Sequence, residues 1–236
     1  MQSRYNGKSI VEYYSEESPE ATEFRRLYSK IRHLNPDRNM KNFLITSATV
    51  GEGKSTVAAF LAITISKYRD TNTLLIDCDL RRPKIHRLFR LAQERGMAEV
   101  LLERLPLQSC IKESPLKNLK IMTSGVVENS PAELLNSLRI KDVFAEIKFY
   151  FDTIVVDCAP VIPVSDPLVL SPEMDGILLV VKAGKTPKEV VKRAVDSMRD
   201  IGVNIIGVVL NNKERVLPYY YDYKYYGYQY YHDYKE

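Results

Sequence analysis

The sequence predicts an α/β fold in which a mostly parallel sheet has helices on both faces. Short apolar runs alternate with helical patterns along most of the 236 residues. The runs are apolar throughout, whereas a strand exposed on one face alternates apolar and polar residues. Strands of this kind, separated by helices, are typical of parallel sheets that are buried on both sides. The length suits a domain with a substantial core, but the sequence alone does not give the order of the strands.

The elements can be assigned in chain order. Residues 1–18 are polar and lack periodicity, so we expect a flexible segment there. The stretch "SPEATEFRRLYSKIRHL" predicts a helix, because Ser18 can cap it and Pro19 suits its first turn. A second helix, "KSTVAAFLAITISKY", follows the first strand and a glycine-rich turn, and a third is the amphipathic "TPKEVVKRAVDSMRDIG", where Gly202 supplies the stop. The predicted strands are 43–47, 73–77, 119–125, 153–160, 176–184 and 205–212.

Charge and composition argue against several classes of protein. The net charge of +4 is mild and the basic residues are scattered, which argues against a dedicated nucleic-acid binder. No apolar run approaches the ~20 residues of a membrane-spanning helix, and the N-terminus lacks the apolar stretch of a signal peptide. The three cysteines have no metal-binding spacing, so we expect them to be reduced. These features predict a soluble cytoplasmic protein that has no nucleic-acid partner.

The stretch "ITSATVGEGKSTVAA" predicts a phosphate-binding site. It fits the pattern G-x-x-x-x-G-K-[ST] except that Ala48 replaces the first glycine, and it lies between a strand and a helix as the pattern requires. The glycines let backbone N–H groups face phosphate oxygens, and the helix N-terminus adds its positive end. Lys54 would neutralise phosphate oxygens and Ser55 would offer its hydroxyl to Mg²⁺. The predicted nucleotide-binding residues of this stretch are Gly51, Glu52, Gly53, Lys54, Ser55 and Thr56.

Three acidic residues follow two other predicted strands. Asp77 and Asp79 end the strand of "LLIDCDLRRP", and Asp157 ends that of "IVVDCAP". Because ligands bind outside the carboxyl ends of parallel strands, we expect these acids to converge on the phosphate-binding loop. One acid can hold Mg²⁺ through water and another can accept a proton from an attacking hydroxyl. The neighbouring Arg81 and Arg82 either steady developing charge or form surface salt bridges.

The chain ends in "LPYYYDYKYYGYQYYHDYKE", which contains ten of its sixteen tyrosines. Such a run is either an adhesive or RNA-stacking tail, or a set of hydroxyls that are substrates. A tail presents its hydroxyls at high effective concentration to a neighbouring site, and each phosphate adds roughly −1.5 to −2 charge. The candidate phosphorylation sites are Tyr219, Tyr220, Tyr221, Tyr223, Tyr225, Tyr226, Tyr228, Tyr230, Tyr231 and Tyr234.

From about residue 20 to the tail, the chain resembles the bacterial tyrosine kinases, autokinases that govern capsule and exopolysaccharide production. The resemblance rests on "TSATVGEGKST", "LLIDCDLRRPKIHRLF", "TSGVVENSPAELLNS", "TIVVDCAPV", "VSDPLVL" and "GVVLNN", which occur in this order. It implies an ATP- and Mg²⁺-dependent kinase on a P-loop NTPase-like fold, which phosphorylates its own C-terminal tyrosines.

The same resemblance implies roles for individual residues. Lys54 is catalytic, Asp77 is the base, and Asp79 and Asp157 complete the catalytic acids. Ser55, Asp79 and Asp157 are the implied Mg²⁺ site. In "LNN", Asn211 or Asn212 is implied to meet the adenine.

The resemblance also implies partners. These are a separate transmembrane activator, namely a polysaccharide co-polymerase, sugar-nucleotide enzymes as substrates, and a cognate phosphatase. The kinase itself would be recruited peripherally to the inner face of the membrane. Family members assemble into a ring through E-x-x-R-x-x-R, but "EATEFRRLYSKIR" completes this motif in neither register. Homo-oligomerisation is therefore left open.

We expect a flexible lead-in (1–18), a P-loop kinase domain (19–217) and a tyrosine-rich tail (218–236). Two other functions compete with the kinase. A switch ATPase of the ParA/MinD type shares the phosphate-binding loop, but it has a signature lysine where this chain has Thr49, and it lacks a tyrosine tail. A non-catalytic scaffold that binds partners through the tail would not need Lys54 and the three acids.

Overall fold

The computed structural model describes residues 8–34, 40–69, 71–128 and 130–211. Its strands are β1 (Asn42–Ser47), β2 (Thr73–Asp77), β3 (Ile111–Glu113), β4 (Leu119–Met122), β5 (Thr153–Asp157), β6 (Gly176–Lys182) and β7 (Ile205–Asn211). Its α-helices are α1 (Pro19–Leu34), α2 (Lys54–Arg69), α3 (Ile85–Phe89), α4 (Met97–Leu101), α5 (Leu107–Cys110), α6 (Pro131–Leu135), α7 (Arg139–Tyr150), α8 (Asp166–Leu170) and α9 (Lys188–Arg199). Two 3-10 helices lie at Ile10–Tyr13 and Ser171–Glu173.

The strands form one sheet in the order β3-β4-β2-β5-β1-β6-β7. Strand β3 is antiparallel to β4, and all other neighbours are parallel. The carboxyl ends of the six parallel strands, β4, β2, β5, β1, β6 and β7, therefore lie along one edge of the sheet, which we call the catalytic edge. The prediction of a mostly parallel sheet is confirmed, and the structure supplies the strand order that the sequence did not.

Two apolar clusters cover the two faces of the sheet. Successive side chains of a strand point to opposite faces, so Leu44 of β1 packs with residues of helices α4 to α9, whereas Phe43 and Ile45 pack with residues of α1, α2 and α3. Every residue of β1, β2 and β5 is buried. This double burial is the physical reason why these strands are apolar throughout.

Helix α2 is buried along most of its length between the sheet and α1. Ala58, Leu61 and Ile65 are fully buried, and α1 packs on the outside of α2 through Ala21 and Ile31. The predicted start of α1 is confirmed, because the backbone N–H of Ala21 donates to Ser18 Oγ at 3.1 Å. A helix held on both sides fixes the position of its first residue, Lys54.

Residues 8–14 differ from the flexible segment that the sequence predicted. Ile10 is fully buried in the cluster beneath α1 and α2. The hydroxyl groups of Tyr14 and Thr64 lie 2.9 Å apart and form a hydrogen bond. Ser9 caps the short 3-10 helix. The stretch "KSIVEYY" is too short to show a helical or strand periodicity, so the pattern could not reveal this packing.

The two borders of the sheet also differ from the prediction. Strand β3 has only three residues and was not predicted, and β7 is an edge strand on which Val208 is 49% exposed and Leu210 is 54% exposed. Its apolar sequence had predicted burial on both faces. Within the described residues, no helix is long and apolar enough to span a membrane. The predicted tyrosine-rich tail lies outside the described residues.

Candidate active site

The predicted site residues meet at the catalytic edge. The phosphate loop, residues 48–53, joins β1 to α2, so Lys54 is the first residue of that helix. Asp77 and Asp157 are register partners at the ends of β2 and β5. Asp157 is also the partner of Ile45 in β1. The parallel register therefore brings the loop and the acids together although they are far apart in the sequence.

The phosphate loop has the backbone that its glycines predict. Gly51 has φ of +80° and Gly53 has φ of +94°, values at which a side chain causes strain. Gly53 has a second constraint, because a Cβ there would lie 2.1 Å from Nδ2 of Asn211. That amide donates a hydrogen bond of 2.7 Å to the backbone carbonyl of Glu52. The end of β7 is thus fastened to the loop through Asn211.

The ammonium group of Lys54 lies among the acids. Its Nζ is 2.6 Å from Asp79 Oδ2 and 3.4 Å from Asp157 Oδ1, and it is also 3.4 Å from Ser55 Oγ. Burial by itself lowers the pKa of Lys54, but the charges of Asp157 and Asp79 outweigh it and raise the pKa above its usual range. Lys54 is therefore a fixed positive charge at this edge.

Asp157 is fully buried, and burial is the main reason that its pKa is raised, although Lys54 opposes the effect. Its Oδ2 accepts no hydrogen bond from the described residues. A buried carboxylate oxygen without a donor is costly, and a bound cation or a water on that cation would supply the missing partner. This oxygen is the clearest sign that the site is completed by a ligand.

Asp77 is fully buried and is held by the backbone that follows it. Its Oδ2 accepts hydrogen bonds of 2.9 Å from the N–H groups of Lys84 and Ile85, and its Oδ1 accepts one of 3.2 Å from that of Asp79. Burial, and then the charge of Asp157, raise the pKa of Asp77 well above that of an ordinary aspartate. A raised pKa brings a carboxylate closer to the value that suits a general base at neutral pH.

The side chain of Glu52 braces the phosphate loop from within. It is 2% exposed, and its Oε2 accepts a 2.8 Å hydrogen bond from the backbone N–H of Thr49. Its Oε1 accepts a hydrogen bond from the hydroxyl of Thr186, in the loop between β6 and α9. Thr186 was missed by sequence analysis, because no periodicity or motif links it to Glu52, 134 residues away.

Two roles were predicted for Arg81, and the structure shows the salt bridge. Its guanidinium donates from Nε to Asp166 Oδ2 at 2.7 Å and from Nη2 to Oδ1 at 3.0 Å, and the Asp166 side chain is fully buried. The pair fastens the chain after β2 to the first turn of α8. Asp166 lies within "VSDPLVL", but nothing in the sequence indicated its partner. Arg82 differs, because its backbone N–H donates to Asp79 while its side chain is exposed.

The residues at this edge fit a nucleotide with Mg²⁺. Positive φ at two glycines, a buried ammonium and an unpartnered oxygen of Asp157 suit phosphate oxygens and a hydrated cation. The described residues contain no cluster of three or more metal-ligating side chains. This agrees with the ordinary coordination of Mg²⁺, which takes one or two carboxylates and completes its shell with water and phosphate.

The fold and this site define a P-loop nucleotide-binding protein of the ParA class. Residues 39–226 match the family model described as "ParA: NUBPL iron-transfer P-loop NTPase". The septum-site protein MinD of Pyrococcus horikoshii, solved with Mg-ADP, has a TM-score of 0.65 at 20% identity and covers 75% of this chain and 74% of its own. That likeness shows the fold alone.

Within this class, the chain belongs to the bacterial tyrosine-protein kinases. It is 34% identical to the tyrosine-protein kinase YwqD of Bacillus subtilis over 93% of this chain and 92% of YwqD. It is 31% identical to the tyrosine-protein kinase Etk of Escherichia coli K12 over 89% of this chain, but it spans only 29% of Etk. The family resemblance noted in the sequence is confirmed.

Solved structures agree with this assignment. The chimeric protein CapA2B2 has a TM-score of 0.80 at 29% identity and covers 85% of this chain and 88% of its own. The kinase domain of Escherichia coli ETK has a TM-score of 0.78 at 30% identity, with coverage of 84% and 78%. The individual roles of Lys54 and the acids stay predictions, as do the adenine contact of Asn211 and the tail tyrosines. Asn212 and the tail lie outside the described residues.

Proposed function

We propose that the protein is an ATP- and Mg²⁺-dependent tyrosine autokinase that phosphorylates residues 219–234 of its own tail and thereby regulates capsule or exopolysaccharide production. The observation that carries this proposal is the buried ammonium of Lys54 between Asp79 and Asp157, at the edge where six parallel strands end. Membership of the tyrosine-protein kinases supports the reaction class.

Each residue has a physical task in this proposal. Lys54 neutralises phosphate oxygens, and backbone N–H groups of the phosphate loop orient them. Ser55, Asp79 and Asp157 hold Mg²⁺, partly through water. Asp77 takes the proton from the phenol of the acceptor tyrosine while the phenolic oxygen of that tyrosine bonds to the γ-phosphorus of ATP. Bound MgATP supplies the phosphoryl group, and ADP leaves. The raised pKa of Asp77 supports its role as the base.

The last described residue before the tail, Asn211, lies close to this site. Strand β7 is parallel to β6 and ends at Asn211, whose side chain is bonded to the phosphate loop. The described chain therefore ends at the catalytic edge. Tyr219 is eight residues further on, and eight residues span at most about 29 Å when fully extended. The first tail tyrosine is therefore within about 29 Å of Asn211 in any conformation, which supports the tail as the substrate.

The decisive experiment is intact mass spectrometry after incubation with ATP and Mg²⁺. We expect a series of added phosphates that map to 219–234 in the unaltered chain and none in Lys54→Met, because the buried positive charge is lost. Asp77→Asn should bind ATP but transfer phosphate roughly 10²–10⁴-fold more slowly, the usual effect of losing a general base. A chain with all ten tail tyrosines changed to Phe should bind ATP and gain no phosphate there.

A switch ATPase is the second candidate, because the ParA-class model matches residues 39–226. ATP hydrolysis that continues without any gain in mass, even when a membrane activator is supplied, would favour this function over the autokinase. A scaffold would retain its cellular activity when Lys54 is replaced by Met, whereas a kinase would lose it.

We propose that the activator is a separate transmembrane protein that recruits the kinase to the inner face of the membrane. The likeness to the chimeric CapA2B2 and to Etk supports such a pairing.

Self-association is also proposed, and analytical ultracentrifugation with and without ATP tests it. In α1, Arg26 pairs with Glu23 at 2.7 Å, and Arg25 lies over the Tyr68 ring, so an assembly through these arginines would have to replace contacts that they already make. Sugar-nucleotide enzymes and a cognate phosphatase remain proposed partners.

A further inference from the structure

We propose that exposed basic residues around α3 bind the tyrosine-rich tail after it has been phosphorylated, and so hold it beside the active site for further rounds of transfer. The surface consists of the side chains of Arg82, Lys84, Arg87 and Arg90, and we call it the α3 basic surface. This inference rests on the proposed autokinase function, since it needs a phosphorylated tail as its ligand.

The segment around α3 carries a local excess of positive charge. Residues 80–98 contain six Arg or Lys residues and one acid, Glu94, a net charge of +5, whereas the whole chain has a net charge of +4. The remainder of the chain is thus close to neutral. A local excess of this size attracts anions from a distance comparable to the Debye length, which is about 8 Å at physiological salt.

Within the part of the chain that the structure describes, no salt bridge neutralises the α3 basic surface. Arg82, Lys84, Arg87 and Arg90 are exposed, and none forms a salt bridge within the described residues, whereas the neighbouring Arg81 is paired with Asp166. The Arg87 side chain donates from Nε to Nε2 of His86 at 3.3 Å. Unpaired guanidinium groups are suited to bind phosphate through two hydrogen bonds each.

The surface is fixed next to the catalytic acids. The backbone N–H groups of Lys84 and of Ile85, the first residue of α3, both donate to Asp77, and the N–H of Arg82 donates to Asp79. Ile85 and Phe89 are buried beneath the helix. The basic side chains are therefore presented from a rigid support at the end of β2, not from a free loop.

The tail can reach this surface from its own starting point. Four strand spacings separate β7 from β2 in the sheet order, which is about 19 Å at ~4.8 Å per strand. The eight residues from Asn211 to Tyr219 span at most about 29 Å, and every later tyrosine has more slack. A tail that leaves the catalytic edge beside the phosphate loop can thus contact both the active site and the α3 basic surface.

Phosphorylation makes the tail complementary to the surface. Residues 219–236 contain Asp222, Asp233 and Glu236 against Lys224 and Lys235, a net charge near −1. Each phosphotyrosine adds roughly −1.5 to −2 charge. The unmodified tail is attracted weakly, whereas a tail with one or two phosphates is attracted strongly. Retention of the first product next to the site would speed the later transfers by raising the effective concentration of the remaining tyrosines.

The binding test uses the full chain with its ten tail tyrosines changed to Phe, so that its own tail does not compete. The probe is a fluorescent peptide of residues 218–236 with phosphotyrosine at Tyr220, Tyr223 and Tyr226, or the same peptide without phosphate, measured by anisotropy. We expect the phosphopeptide to bind at least about tenfold more tightly. Arg87→Gln with Arg90→Gln should weaken phosphopeptide binding at least about fivefold.

The matched control is Arg193→Gln with Arg199→Gln. Both arginines are exposed on α9 and form no salt bridge within the described part of the chain, so this pair removes the same charge elsewhere. We expect its affinity to stay within about twofold. Equal affinity for both peptides, or equal losses in both double variants, would overturn the proposal. Loss of binding to phosphatidylserine vesicles in R87Q/R90Q, with unchanged phosphopeptide affinity, would assign the surface to lipid instead.

Autophosphorylation provides a second readout. If the phosphorylated tail is retained on the α3 basic surface, heavily phosphorylated molecules of the unaltered chain should accumulate while other molecules are still unmodified. The R87Q/R90Q variant should instead pass through singly and doubly phosphorylated species. The peptide is synthetic, so its binding does not depend on transfer. Tight phosphopeptide binding in a protein that never gains phosphate would refute the proposed autokinase function but not the binding role of the α3 basic surface. Autophosphorylation without selective binding of the phosphopeptide would refute that binding role but not the autokinase function.

Discussion

Gly53 illustrates how much a single residue contributes to the phosphate loop. Gly51 and Gly53 both have a positive φ, which is +94° at Gly53. Of these two glycines, only Gly53 lies against another side chain, the amide of Asn211. The sequence predicted both glycines from one motif and could not distinguish them, because the neighbour of Gly53 comes from the last strand. Lys54, Asp79 and Asp157 were predicted as separate features, and the structure brings them to hydrogen-bond distance.

The two glycines make a matched test. Ala at either position should cost about 1–2 kcal/mol through left-handed backbone strain. Gly53→Ala should cost roughly 1–3 kcal/mol more, because its methyl group displaces Asn211 from the carbonyl of Glu52 and breaks that hydrogen bond. Urea unfolding with CD detection gives both values. Adding Asn211→Ala should recover part of the extra loss in Gly53→Ala, and no recovery would argue that this contact is unimportant.

At the scale of elements, two distant segments are bonded to the phosphate loop. The phosphate loop is bonded to the β6–α9 loop through Glu52 and Thr186 and to the end of β7 through Asn211. The strands that meet here were predicted within a few residues, because apolar runs are a local property. The convergence of the strand ends on the loop was predicted, but the bonds that Glu52 makes with Thr186 and Asn211 were not, since hydrogen bonds across 134 or 159 residues leave no trace in local pattern.

Thr186 is a positioning residue for the phosphate loop. Thr186→Val should remove the partner of the buried Glu52 Oε1, lower the free energy of unfolding by about 1–3 kcal/mol, and weaken ATP binding several-fold. Thr186→Ser keeps the hydroxyl and should restore both. Titration with a fluorescent ATP analogue and thermal unfolding measure the two effects. If Ser and Val variants lose ATP affinity equally, the hydroxyl has no positioning role.

For the whole molecule, the N-terminal segment completes the outer layer. Residues 8–14 pack against α3 and α2, and Ile10 and Tyr14 belong to the same apolar cluster as β1 and α2. The segment was predicted to be flexible because its own residues show no periodicity. Burial of a single side chain depends on a surface formed elsewhere in the chain.

Ile10→Ala tests this packing. Removing a fully buried isoleucine side chain should reduce the free energy of unfolding by about 2–5 kcal/mol. Lys8→Ala, two residues away and exposed, should change it by no more than about 0.5 kcal/mol. Chemical denaturation of the full chain measures both. Similar small effects for the two variants would mean that residues 8–14 do not contribute to the stability of the folded domain.

The sequence by itself determined the fold class, the phosphate loop, the acids Asp77, Asp79 and Asp157, and the family. These follow from local information, namely apolar runs, a glycine-rich turn before a helix, and acids at strand ends. Only the tertiary structure decided the strand order, the burial of Ile10, the pairing of Arg81 with Asp166, and the unpaired charge of the α3 basic surface. The physical reason is that ion pairing, burial and local charge balance depend on which distant segments become neighbours. Those neighbours are decided only when the strands pair and the helices pack on the two faces of the sheet.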